Sequence, residues 1–260
     1  MRLGHDEVRL GANQPPVSSR PMATPHERIG LSRSQVDRAG EILRAWTLEG
    51  LLAGPAEQDA SRVINAYRSE FKSPLRSVVM GLRSAVRTAG VEVVVAERLK
   101  RQPRLVGKLI RFPKLRLTQM QDIAGCRAIL PSLATVDEVR RRIERQKSEI
   151  VKVNDYNTTP RSSGYRAVHI VVRRDGALVE IQLRTASQQR WAMLVEDLDA
   201  AYRFQLKDEN GPEEVLEYLK VYALGLSEID RTGAADDATR RRIESALFNA
   251  QRRLITGDNR

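Results

Sequence analysis

Two acidic residues, Asp122 and Glu180, each lie in or beside a short apolar run that predicts a strand, and each is followed by an arginine. A basic and aromatic segment around Tyr165, RSSGYRAVHIVV, separates them. Hard divalent cations such as Mg²⁺ take one or two carboxylates together with water and substrate phosphates, and nearby Lys and Arg neutralise those phosphates. The two carboxylates therefore indicate a metal site for phosphate chemistry. The alternative is that Glu180 forms a cross-strand ion pair and Asp122 only caps or ends a segment.

The segment around Glu180 predicts a strand with one polar face. Because side chains alternate along a strand, Glu180, Gln182 and Arg184 point to the same side. In the preceding run Tyr165 and His169 also share one face, so a ring that could stack on a base lies near an imidazole. These groups suit a nucleotide site. A solvent-facing strand with an ion pair and a structural histidine is the alternative that the residues alone leave open.

A series of basic residues comes before the first carboxylate. Its members are Arg98, Lys100, Arg104, Lys108 and Arg111. A helix is predicted over about 103–111, and on it Arg104, Lys108 and Arg111 occupy one face. Such a series beside two carboxylates is typical of a triphosphate clamp. A solvated basic surface is the simpler alternative.

The relation between Asp122 and Arg127 depends on the backbone between them. Simple alternation along a strand at 123–130 puts Asp122 on the face opposite Arg127. Gly125 could host a β-bulge that brings both side chains to one side.

Charge and composition bound the class of partner. The chain has 260 residues, a net charge of +11 and a pI of about 10.2, so its field attracts polyanions such as nucleotides, RNA, DNA or an anionic membrane. No apolar run approaches the roughly 20 residues that span a bilayer. Cys126 is the only cysteine, which excludes an internal disulfide, and no apolar signal core is present at the N-terminus. We expect a cytoplasmic protein without a membrane span.

The pattern along the chain divides it into four regions. Residues 1–31 are rich in proline without periodicity, which predicts a flexible tail. Residues 32–90 predict helices, the first opened by a capping box at Ser32 and Gln35. Residues 91–203 mix basic helices with β-branched runs, and Asp175-Gly176 is a strong hairpin signal. The strands are expected at 91–96, 123–130, 149–153, 166–173 and 177–184. Residues 204–260 return to helices, so we predict an α/β (α+β) fold with helical extensions at both ends.

Four motifs in this order resemble the synthetase domain of the RelA/SpoT family, over about residues 91–203. They are RLKRQPRLVGKLIR, DIAGCR, NDYNTTPRSSGYRAVHIVV, and VEIQLRT followed by WAMLVED. Together they are specific, whereas any one alone is weak. The resemblance implies a nucleotidyltransferase-like fold, a mixed β-sheet flanked by helices, which agrees with the prediction from the residues.

Members of that family transfer the β,γ-pyrophosphate of ATP to the ribose 3′-hydroxyl of GDP or GTP and release AMP. The resemblance implies that Asp122 and Glu180 bind Mg²⁺ and that Glu180 is also the base for the hydroxyl proton. It implies three further sets of side chains. Arg98 and Arg127 sandwich the adenine, Lys100, Lys108 and Arg111 bind the ATP phosphates, and Tyr165 stacks on the acceptor base, with His169, Gln182, Arg161 and Arg184 in the acceptor pocket.

The sequence leaves the acceptor and the partners open. Arg161 and Ser163 stand where a lysine and an asparagine are common in the family, and Arg104 stands where serine is common. Toxic small members of the family modify the 3′ end of tRNA, which a pI of about 10.2 also suits. A catalytically silent nucleotide- or RNA-binding module is the non-enzymatic alternative. A homo-oligomer or a neutralising antitoxin is a possible partner.

Overall fold

The computed structural model describes residues 22–146 and 149–256, and its centre is a five-stranded mixed sheet. The strands are β1 (Val95–Leu99), β2 (Ala124–Leu130), β3 (Glu149–Asp155), β4 (Val168–Arg174) and β5 (Ala177–Thr185). Their order in the sheet is β1-β2-β5-β4-β3. Only the β2–β5 pair is parallel, and the other three pairs are antiparallel. The predicted fold class, a mixed sheet flanked by helices, is confirmed.

Helices precede, interrupt and follow the sheet. They are α1 (Pro25–Arg28), α2 (Arg33–Glu49), α3 (Pro55–Ser69), α4 (Lys72–Thr88), α5 (Gln102–Arg111), α6 (Leu133–Glu144), α7 (Ala186–Tyr202), α8 (Glu213–Thr232) and α9 (Asp237–Thr256). The capping box at Ser32 is confirmed, because its side chain accepts from the Gln35 amide and the Gln35 side chain accepts from the Ser32 amide. Within the described ranges, no helix is long and apolar enough to cross a membrane.

Part of the predicted flexible tail is helical in the structure. Residues 1–21 lie outside the described residues, but 22–31 contain α1, which has its own capping box. Arg28 holds this helix to the body of the protein, since its guanidinium donates to the carbonyl of Asp175 and forms an ion pair with Glu70. These long-range contacts have no local signal in the sequence.

Two predicted elements begin at different residues in the structure. The first strand, expected at 91–96, is Val95–Leu99, because those residues pair with Ala124–Ala128 of β2. Val94 is 85% exposed although it belongs to an apolar run. The spacing of Val136, Val139 and Ile143 predicts a helix at about 136–147. In the structure this helix is Leu133–Glu144, since Ser132 caps its first turn by accepting from the Thr135 amide.

The hairpin between β4 and β5 sets the register of the polar residues. Asp175 and Gly176 both have positive φ, 48° and 73°, as a two-residue type I′ turn requires. This turn pairs His169 with Gln182. One face of the sheet packs on α4 and α6 in the larger hydrophobic core, while the opposite face carries the polar side chains. A second core joins α7, α8 and α9 around Trp191 and Tyr165.

Candidate active site

A cavity of about 450 Å³ opens on the polar face of the sheet. Its walls come from β1, α5, β2, β4, β5, α7 and the turns beside them. All twelve site residues that the sequence predicted line it: Arg98, Lys100, Lys108, Arg111, Asp122, Arg127, Arg161, Tyr165, His169, Glu180, Gln182 and Arg184. The fold thus brings these side chains into one cavity, and their individual roles stay predictions.

Asp122 reaches the cavity from the loop just before β2. Its carboxylate forms ion pairs with the ammonium groups of Lys100 and Lys108, the latter at 2.7 Å. Burial works to raise the pKa of Asp122, but the two cations outweigh it and hold the pKa below the ordinary value. Asp122 is therefore an anion held between two lysines, and its side chain does not cap a helix.

The bulge that Gly125 could have hosted does not form in β2. β2 pairs with β5 without a register shift, and Gly125 lies opposite Glu180 while Arg127 lies opposite Gln182. Arg127 faces the cavity by regular alternation, and Asp122 needs no bulge because it lies outside the strand. A Cβ atom at Gly125 would lie 3.3 Å from the backbone oxygen of Glu180, so glycine allows the close approach of the two strands.

Glu180 is held on both carboxylate oxygens. His169 Nδ1 lies 2.9 Å from Oε1, and Gln182 Nε2 donates to Oε2 at 2.6 Å. Burial favours a raised pKa, yet these two hydrogen bonds and the nearby imidazole hold the pKa of Glu180 below its ordinary value. Glu180 is therefore ionised and oriented at neutral pH. The alternative of a solvent-facing strand ion pair does not fit a carboxylate whose side chain is only 17% exposed.

A hydrogen-bonded chain leads from Glu180 to Arg184. Because an ionised carboxylate only accepts, His169 donates from Nδ1 to Glu180, and its Nε2 forms a hydrogen bond with the Tyr165 hydroxyl at 2.6 Å. Arg184 in turn donates to the Tyr165 oxygen at 2.7 Å. The Tyr165 ring is 8% exposed and lies edge-on to His169 and tilted on Trp191. The ring expected to stack on a base is thus enclosed by protein in this structure.

The basic residues of α5 divide between cavity and surface. Lys108 and Arg111 line the cavity, whereas Arg104 is exposed and lies outside it. The prediction that Arg104 joins Lys108 and Arg111 in a triphosphate clamp is therefore wrong for Arg104. Only the C-terminal turns of α5 reach the cavity. On β2 the Nε of Arg127 is buried and has no hydrogen-bond partner within the described ranges.

Several lining residues were not predicted. Glu196 belongs to the quoted motif WAMLVED but had no assigned role, and Lys207 and Asp208 follow α7 in a turn. Lys207 pairs with Glu196 at 2.8 Å, and Asp208 pairs with Arg111 at 2.5 Å. No periodicity links Asp208 to Arg111, so only the folded chain shows this contact.

The donor set of the cavity fits a hard divalent cation. Asp122 and Glu180 supply carboxylate oxygens that are ionised at neutral pH. Among the residues that the structure describes, no group of three or more His, Cys, Asp or Glu side chains could hold a metal. Two carboxylates together with phosphate and water oxygens are an ordinary ligand set for Mg²⁺. Asp122 and Glu180 would therefore bind Mg²⁺ together with a phosphorylated ligand that supplies further oxygens.

The chain is similar to known proteins across this site. Residues 97–207 match the family described as "Region found in RelA / SpoT proteins". GTP pyrophosphokinase YwaC of Bacillus subtilis is 31% identical over 51% of this chain and 73% of its own. An uncharacterized protein of Mycobacterium tuberculosis is 37% identical over 73% of this chain and 67% of its own.

Solved structures agree with this likeness. The crystal structure of small alarmone synthetase 1 from Bacillus subtilis, bound to its product pppGpp, aligns with a TM-score of 0.53 and 26% identity. The alignment covers 63% of this chain and 92% of that one. The fold and the cavity define a protein built around a nucleotide-sized polar site on a mixed sheet. The chain belongs to the RelA/SpoT family.

Proposed function

We propose that this protein is a Mg²⁺-dependent pyrophosphotransferase that moves the β,γ-pyrophosphate of ATP to the 3′-hydroxyl of GDP or GTP, in the cytoplasm. The observation that carries the proposal is the pair of ionised carboxylates, Asp122 and Glu180, between a cationic wall and a hydrogen-bonding wall of one cavity. The relatives named as a GTP pyrophosphokinase and as a synthetase bound to pppGpp support the same chemistry.

The cationic wall suits the donor. Lys100, Lys108 and Arg111 present ammonium and guanidinium groups that would bind the phosphates of ATP. Lys100 and Lys108 already hold an anion inside the cavity, the Asp122 carboxylate, which supports this role. Arg98 and Arg127 lie on neighbouring strands, where their guanidinium planes would bind the adenine.

The opposite wall suits the acceptor. Glu180 would accept the hydrogen bond of the 3′-hydroxyl and take its proton as the new bond forms to the β-phosphorus. The bond from that phosphorus to the oxygen of the α-phosphate breaks, and AMP leaves. The low pKa of Glu180 is compatible with this role, because phosphoryl transfer through a loose transition state needs an oriented hydroxyl more than a strong base.

Mg²⁺, when bound to Asp122 and Glu180, would neutralise charge on the phosphates. The chain's own residues set the conditions for that binding. Asp122 must share its oxygens between the cation and two lysines, and Glu180 must share its oxygens with His169 and Gln182. The lysines can turn toward the triphosphate when it arrives, since Lys side chains carry three donors on a flexible stem.

A labelled-transfer experiment tests the proposal. The full chain is incubated with γ-labelled ATP, Mg²⁺ and, separately, GDP, GTP, ADP and deacylated tRNA. Label on GDP or GTP, with AMP released in equal amount, is the expected result. Label on tRNA alone would replace the proposal by the tRNA alternative, which the net charge of +11 favours. No label on any acceptor would favour a nucleotide- or RNA-binding module.

A further inference from the structure

Residues 203–211, which we call the strap, connect α7 to α8 beside the mouth of the cavity. Leu206 anchors the strap, since its side chain is fully buried and its amide donates to the Asp199 carboxylate at 2.9 Å. Gln205 and Asn210 close the strap with two backbone hydrogen bonds, at 3.0 and 3.2 Å. The strap is therefore a defined turn attached to the second core.

The backbone of the strap is also specific. Arg203 and Glu209 have φ of 57° and 60°, a region that residues with a Cβ rarely occupy. A Cβ at Gly211 would lie 2.6 Å from the buried Leu206 side chain, so the turn closes tightly there. Such a conformation persists only where the surrounding contacts determine it.

Two consecutive carboxylates of the strap contact two different elements that carry lining residues of the cavity. Asp208 accepts a hydrogen bond from Arg111, at the end of the helix that carries the proposed phosphate-binding residues. Glu209 accepts a hydrogen bond from the Ser162 hydroxyl, in the turn that carries Arg161. The strap thus links the donor wall to the acceptor wall.

We propose that the strap is a positioning element for the transfer reaction, in which Asp208 holds Arg111 on the donor side and Glu209 holds Ser162 on the acceptor side. The two contacts fix the distance between the bound nucleotides. The inference rests on the proposed function. Asp208 and Glu209 lie beyond residues 97–207, where the family match ends.

Asp208 can orient Arg111 without blocking it. Only Nη1 of Arg111 bonds to Asp208, and a guanidinium has five N–H donors, so its other edge stays available to a phosphate. The two side chains are 39% and 32% exposed, and ion pairs at that exposure contribute little to stability. Removing Asp208 should therefore misplace Arg111 without unfolding the protein.

Substitution of Asp208 separates positioning from binding. Asp208→Ala should lower kcat on the order of ten-fold, because a misplacement of about 1 Å costs that much or more. It should leave the KM for ATP unchanged or a few-fold lower, since it removes an anion from a cationic cavity. Asp208→Asn, which keeps an acceptor oxygen, should restore part of kcat. Asp237→Asn, an exposed change of equal charge on α9, is the matched control.

Two further variants assign the contacts to each side. In an Arg111→Gln background, Asp208→Ala should lower kcat no further, because Asp208 acts through Arg111. Glu209→Ala should raise the KM for the acceptor a few-fold and leave the KM for ATP unchanged. If Asp208→Ala keeps the kcat of the control, or weakens ATP binding in proportion to a fall in Tm, the proposal is wrong.

Binding of α,β-methylene ATP tests the role of Asp208 separately from the proposed transfer activity. This probe cannot transfer pyrophosphate, and calorimetry measures its Kd directly. A wild-type protein that binds the probe but labels no acceptor would contradict the proposed function alone. In that case unchanged or tighter binding by Asp208→Ala would still support the contact with Arg111, and weaker binding would overturn it.

Discussion

The two walls of the cavity are built from different interactions. On the donor wall, Lys100, Lys108 and Arg111 are held by ion pairs to Asp122 and Asp208. The acceptor wall is a chain of hydrogen bonds and edge-on rings supported by the second core around Trp191. That chain runs through Glu180, His169, Tyr165 and Arg184. If the proposed function holds, this difference predicts that the donor wall selects its ligand by charge, whereas the acceptor wall selects its ligand by shape and hydrogen bonding.

Glu180 is both the proposed base and a proposed metal ligand, so its substitution should have the largest effect. Glu180→Gln keeps the size and one acceptor oxygen but removes the negative charge. We expect kcat to fall about a thousand-fold or more, as for loss of a general base that also binds the metal. Binding of α,β-methylene ATP should change only a few-fold, and Tm only by a few degrees. A variant with near-normal kcat would contradict the assignment of Glu180 as base and metal ligand.

Substitution of Lys108 should affect the donor wall alone. Lys108→Gln removes one charged donor to phosphate, which is worth roughly a ten- to hundred-fold rise in the KM for ATP. The KM for the acceptor should stay within about two-fold, and the salt dependence of the KM for ATP should weaken. Arg104→Gln is the matched control, since it removes a positive charge from the same helix outside the cavity. Equal effects of the two variants would show that net charge alone is responsible.

Substitution of Tyr165 should affect the acceptor wall alone. Tyr165→Phe removes the hydroxyl that joins His169 to Arg184, and Arg184 is only 5% exposed. Arg184 keeps its hydrogen bonds to Gln182 and Gln189, and the loss of the two hydrogen bonds of the hydroxyl should lower the free energy of unfolding by about 1–3 kcal/mol.

The KM values show whether the hydrogen-bonded chain from Glu180 to Arg184 shapes the acceptor site. Tyr165→Phe should raise the KM for the acceptor several-fold and leave the KM for ATP unchanged. Tyr222→Phe, whose hydroxyl makes no hydrogen bond among the described residues, is the control for loss of a phenol. A rise in the KM for ATP of the same size would remove the distinction between the walls.

The sequence predicts the sheet-borne part of this site well, and the reason is local. Alternation along β5 places Glu180 and Gln182 on one face, and the Asp175-Gly176 turn fixes His169 opposite Gln182. The contacts made by the connections could not be predicted in this way. Asp208 meets Arg111 only because Leu206 anchors the strap on the second core.

Burial explains the other differences between prediction and structure. Tyr165 is enclosed because α7 brings Trp191 against it, which no periodicity around the tyrosine indicates. The apolar run before β1 predicts a strand that starts too early, since pairing with β2 selects Val95–Leu99 instead. Tertiary contacts, which the local pattern does not contain, decide both features.

Asp155 supports the acceptor wall from outside the cavity, and its effect should be the smallest. It ends β3 and accepts hydrogen bonds from the amides of Asn157 and Thr158, and it pairs with Arg140 at 2.8 Å. Burial works to raise its pKa, but these hydrogen bonds and the cation outweigh it and hold the pKa of Asp155 below the ordinary value. The stabilisation is therefore complete above the unfolded-state pKa of about 4 and is lost as the pH falls through the lower folded value.

The lowered pKa of Asp155 gives a prediction that acid titration can check. Asp155→Asn should lower the free energy of unfolding by about 1 kcal/mol at pH 7, after allowance for solvent screening. The difference from wild type should shrink as the pH falls below about 4, because the wild-type carboxylate is then protonated too. Urea unfolding from pH 7 to pH 3 measures it, with the exposed Asp137→Asn on α6 as the control. A difference that stays constant with pH would mean that Asp155 acts by packing, and the acceptor turn would then depend on shape without a contribution from charge.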